Sequence, residues 1–87
     1  MIPFKRIMFE AAVAHARGQV ERYRDDPMLI QLVIVDMGVE VRILSRRDER
    51  TIRRVVIWHD LEQQQYDALR LGIDAAVREF IGFKQVA

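Results

Sequence analysis

Two runs rich in β-branched residues, only two positions apart, constrain this chain more than anything else in it. Residues 29–36 (Leu-Ile-Gln-Leu-Val-Ile-Val-Asp) and residues 39–44 are separated by Met37 and Gly38 alone. Branched side chains favour pleated backbone, and so short a connection can join only antiparallel neighbours, because a parallel pair needs a crossover of roughly a dozen residues. Gly38 is expected to supply the positive φ of the tight turn. Residues 39–44 alternate, with Val39, Val41 and Ile43 on one face and Glu40, Arg42 and Leu44 on the other. A charged connection, residues 45–50, leads to a third run at 51–59, in which Val55, Val56, Ile57 and Trp58 are apolar on both faces. Short connections predict an antiparallel meander.

Helical patterns flank this sheet. Residues 4–25 contain good helix formers and no proline. Phe9, Ala12, Val13, Ala16, Val20 and Tyr23 share one stripe at 3.6-residue spacing. Phe4, Ile7, Met8, Ala11 and Ala14, continued by Gly18, form a second apolar stripe. Asp25-Asp26-Pro27 is expected to stop the helix, since the residue before proline is pushed out of the α region. After the third strand, Asp60 reads as an N-cap with Gln63 completing a capping box. Leu61, Ala68, Leu69, Gly72, Ile73, Ala76, Val77 and Phe80 then form one apolar face, and Gly82 is placed to end the helix. The expected fold is α+β, in the order α-β-β-β-α, with a three-stranded antiparallel meander and two helices packed on one face, over a single domain spanning residues 1–87.

Composition narrows the function classes. At 51% hydrophobic, the chain can form a core and is unlike a disordered one. Fourteen basic residues against 13 acidic ones give no overall pull toward nucleic acid or an anionic membrane. There is no cysteine, hence no disulfide, thiolate or zinc-cysteine chemistry. No stretch approaches the ~20 apolar residues that span a bilayer, and the start of the chain lacks a secretory pattern. A cytoplasmic setting without membrane contact is expected.

Twelve of the basic residues are arginine, and Arg42, Arg46, Arg47, Arg50, Arg53 and Arg54 cluster within 13 positions around the second hairpin. Glu40, Asp48 and Glu49 partly offset them. Arginine forks hold phosphate in two-point contact, so this hairpin is the candidate polyanion site; a solvated hairpin with internal ion pairs is the plainer alternative. No aromatic residue is interleaved to stack bases. The element order is similar to that of double-stranded RNA-binding domains, but the likeness stops there. The loop between the first two strands is Met37-Gly38, and the last helix opens Asp60-Leu61-Glu62-Gln63, whose acidity would repel phosphate.

Catalytic constellations are missing. His59 beside Asp60 could form an acid–base pair, though a surface histidine before a helix is the simpler reading. His15 lacks companion ligands for a metal. Ser45 and Thr51 are the only hydroxyl nucleophiles of their kinds, and no Gly-rich phosphate loop or Gly-x-Ser-x-Gly occurs. No enzyme activity, cofactor or metal is expected. What remains is a surplus of apolar surface: the second stripe on the first helix and two long apolar edge strands. A non-catalytic interaction module is therefore expected, self-associating as a homodimer, with a protein partner as a further candidate. Phe4, Ile7, Met8, Ala11 and Ala14 are the candidate interface, or else a sheet edge; the alternative is nucleic-acid binding through residues 42–54. Equally, the first helix could be wedged between the sheet and the last helix, with no partner.

Overall fold

The computed structural model describes residues 5–86, with side chains as far as Gly82. Helix α1 (Arg6–Arg22) leads into three strands, β1 (Met28–Val35), β2 (Gly38–Ser45) and β3 (Thr51–Ile57), followed by α2 (Trp58–Gln64) and α3 (Tyr66–Val86). The strands form one antiparallel sheet in the order β1-β2-β3. The α+β class and the meander are as expected, but there are three helices where two were expected.

Alternation along the strands sorts their side chains into an inner and an outer set. Ile43 pairs with Ile30 and Ile52, Val41 with Leu32 and Arg54, and Val39 with Ile34 and Val56, and this face looks toward the helices. Val39, Val41 and Ile43 are fully buried there, with Met28, Ile52 and Val56. Each such side chain contributes roughly 1.5–3 kcal/mol on burial. Leu61 of α2 and Leu69, Ile73, Ala76, Val77 and Phe80 of α3 close the core from the other side. α3 lies against β2 and β3, and α1 against β1 and α3.

Several boundaries differ from the sequence-based expectation, each for a local reason. The first turn is Asp36-Met37, and Gly38 is the first residue of β2, paired with both Val35 and Ile57. Glycine is needed there because a Cβ would collide with the backbone carbonyl of Val56 on β3. β3 ends at Ile57 rather than His59, and Trp58 begins a helix. Asp60 thus sits in the first turn of α2, and the N-cap is Ile57, which makes no side-chain cap. Trp58 is held by its neighbours instead: its backbone N–H donates to the Met37 carbonyl at 3.1 Å and its Nε1–H to the Asp36 carbonyl at 2.8 Å. The expected single last helix is broken at Gln65, which takes φ 52°, ψ −127°. Gly82 does not end α3, which runs on to Val86. α1 stops at Arg22, with Tyr23 N–H donating to the Gln19 carbonyl, ahead of the Asp-Asp-Pro stop.

Candidate interaction surfaces

All helical packing falls on one side of the sheet, so the other side is uncovered. Its rows across the strands are Leu29–Leu44–Thr51, Gln31–Arg42–Arg53, Val33–Glu40–Val55 and Val35–Gly38–Ile57. Leu29, Val55 and Ile57 are exposed, each near 40%, and Val33, Val35 and Leu44 are half-buried. A salt bridge from Arg42 to Glu40 lies in the middle of this apolar surface.

The candidate interface on α1 lies largely open. Ile7 is 70% exposed, Ala11 and Ala14 are exposed and Met8 is half-buried, while Phe4 lies outside the described residues. α1 packs against both β1 and α3, yet only its Ala12 and Ala16 are fully buried. Beside it runs a groove of about 390 Å³ along β1, lined by Phe9, Val13, Val20, Ile30 and Leu32, with Arg17 and Arg46 at its rim.

The six clustered arginines do not share one surface. Neighbouring strand residues point to opposite faces, so Arg42 and Arg53 lie on the uncovered face and Arg54 on the helix side, in a polar recess with Asp60, Gln64 and Arg78. Arg50 folds back: its Nε donates to both oxygens of Asp48 at 2.9 and 3.0 Å, and its guanidinium sits 4.6 Å from the Phe80 ring centroid. The bond from the Arg50 backbone N–H, together with those from its side chain, holds the Asp48 carboxyl below the ordinary range. The turn is braced by Ser45 Oγ, which accepts from the N–H groups of Arg47 and Asp48. Arg46 and Arg47 are exposed, Arg47 donating to the Asp25 carbonyl.

The histidines have unlike environments. His59 is exposed and its side chain makes no hydrogen bond among the described residues. His15 Nε2 lies 2.6 Å from Asp74 Oδ1, which also accepts from Gln19 Nε2 at 2.6 Å; Arg70 approaches Asp74 Oδ2 at 3.6 Å. Burial pushes the Asp74 carboxyl up, but the hydrogen bonds from His15 and Gln19 and the charges of His15 and Arg70 outweigh it and hold it below its ordinary value. This cluster fastens α1 to α3. Among the described residues no group of three or more His, Cys, Asp or Glu could hold a metal ion, and no helix is long and apolar enough to cross a membrane.

Sequence reasoning pointed to the α1 stripe and to the apolar edge strands, but not to Ile34 itself, 50% exposed on β1, nor to the groove beside that strand. The signal available was the absence of any charge from Met28 to Val35. No known family model, curated protein or solved structure gives a significant match to the chain.

Proposed function

We propose that this protein is a non-catalytic interaction module that self-associates as a homodimer. The observations that carry the reading are the one-sided layering, which leaves Leu29, Val55 and Ile57 in solvent, and the exposure of Ile34 on β1 and of Ile7, Ala11 and Ala14 on α1. Large apolar side chains exposed on both the sheet and α1 are the kind of surface that marks an interaction site. Light scattering behind size exclusion, at several concentrations, tests it. A mass of twice the chain supports the reading, and a monomer at every concentration overturns it. The surplus surface also leaves room for a protein partner on the sheet face.

The alternative, nucleic-acid binding through residues 42–54, has less support, because Arg50 and Arg54 turn away from Arg42 and Arg53. If it held, binding to duplex or single strands would exist at low salt and fall steeply as salt rises. It would also vanish when Arg46, Arg47, Arg50 and Arg53 are all replaced by glutamine.

A further inference from the structure

Resting on that reading, we infer that the second copy binds along the β1 edge, joining two sheets into one six-stranded antiparallel sheet. The two edges of the sheet are not alike. β3 carries Arg53 and Arg54, and charge on an edge strand guards it against pairing. β1 has eight residues, Met-Leu-Ile-Gln-Leu-Val-Ile-Val, with neither charge nor proline. It is the unguarded edge.

The ladder determines which backbone groups of β1 are available. Arg46 N–H donates to the Pro27 carbonyl at 2.9 Å, and Pro27 is one step before Met28, which pairs with Ser45. Antiparallel bonding alternates, so the odd-numbered residues of β1 face β2 and Met28, Ile30, Leu32 and Ile34 turn their N–H and C=O groups outward. Two copies related by a two-fold axis through Gln31 place Met28 against Ile34 and Ile30 against Leu32 of the other copy. Those are the residues with free groups, and the helices of both copies then lie on the same side.

Side chains complement one another in this register. Ile34 lies on the helix-facing side of the sheet yet is half exposed. The two-fold brings it opposite Met28, at the end of the apolar groove between α1 and β1. Asp36, two residues on, falls opposite Asp26 of the other copy, with the backbone of Arg46 bonded to Pro27 close by. Neither Asp36 nor Arg46 has an ion pair among the described residues. An overhanging isoleucine, an apolar groove and outward backbone groups that match one another under a two-fold favour a second copy over an unrelated peptide.

A chain without cysteine makes the test direct. Gln31→Cys puts a single thiol next to its own symmetry mate in a non-hydrogen-bonded pair, a separation a disulfide spans. Mild oxidation of dilute protein is expected to give covalent dimer from Gln31→Cys and little from Ile7→Cys. Ile34→Lys, at an exposed side chain, is expected to weaken dimerisation by at least about tenfold while circular dichroism stays that of the parent. A dimer that survives Ile34→Lys, or a Gln31→Cys variant that cross-links no better than Ile7→Cys, overturns the β1 pairing and leaves self-association standing. A wild-type monomer overturns both.

Discussion

His15 and Asp74, 59 positions apart in the chain, meet at 2.6 Å and join α1 to α3. An ionised carboxylate can only accept, so His15 Nε2 bears the hydrogen in this contact. Both side chains are about three-quarters or more buried, and the second bond, from Gln19, leaves little of Oδ1 for water.

The depressed value of Asp74 sets a pH dependence. Its ordinary value is 3.8 and the fold holds it lower, so its stabilisation is complete above 3.8 and is lost as pH falls through the folded value. Asp74→Asn should cost about 1–3 kcal/mol at neutral pH, with the gap to wild type narrowing on acidification below the ordinary value. Denaturant midpoints across a pH series check this; a gap that does not change with pH would refute it.

Gly72 on α3 faces Val56 on β3, where a Cβ would lie 2.5 Å from Val56 Cγ2. Gly72→Ala gains helix propensity of about 1 kcal/mol but overpacks the contact by about 1–3 kcal/mol, for a net loss or near balance. Val56→Ala alone leaves a hole and costs about 1–3 kcal/mol. The double variant should be more stable than the sum of the two losses implies, by at least about 0.5 kcal/mol. Strict additivity in a double-mutant cycle would show that the contact does not limit the spacing of α3 and β3.

Gln65, at φ 52° and ψ −127°, occupies backbone space that glycine enters freely and other residues enter at a cost of about 1–3 kcal/mol. It is exposed and outside both helices. Gln65→Gly should therefore stabilise the protein by about 1 kcal/mol, net of the extra entropy of the unfolded chain. A lowered thermal midpoint would mean the glutamine side chain contributes something the backbone argument leaves out.

Strands and core were legible in the sequence because the relevant signal is periodic. Val39, Val41 and Ile43 announced the inner face of β2, and Leu61 through Phe80 announced the apolar face of the helical segment. Boundaries depended on tertiary partners and were not legible. Four successive apolar residues, Val55 to Trp58, fit a strand or a helix equally, and the bonds of Trp58 to Asp36 and Met37 decide between them. The break at Gln65 has no glycine or proline to mark it, and glutamine is a good helix former. The arginine cluster shows the opposite case. Its members are close in sequence, yet the two-residue period of a strand separates Arg53 from Arg54, which could have been read directly from their positions. The partner of His15 could not, since α1 and α3 are brought together only by folding.

α1 is the least firmly held element, because its two fully buried residues, Ala12 and Ala16, are small. Local opening costs less where less apolar surface is sealed. Backbone amides of α1 should thus exchange with deuterated solvent through an excursion that leaves β2 intact, while those of Val39, Val41 and Ile43 wait for the whole molecule to unfold. The helix also forms one wall of the groove along β1, so whatever settles there meets a wall that can swing. A seated copy would close that excursion and protect amides on α1 that never touch the strand ladder.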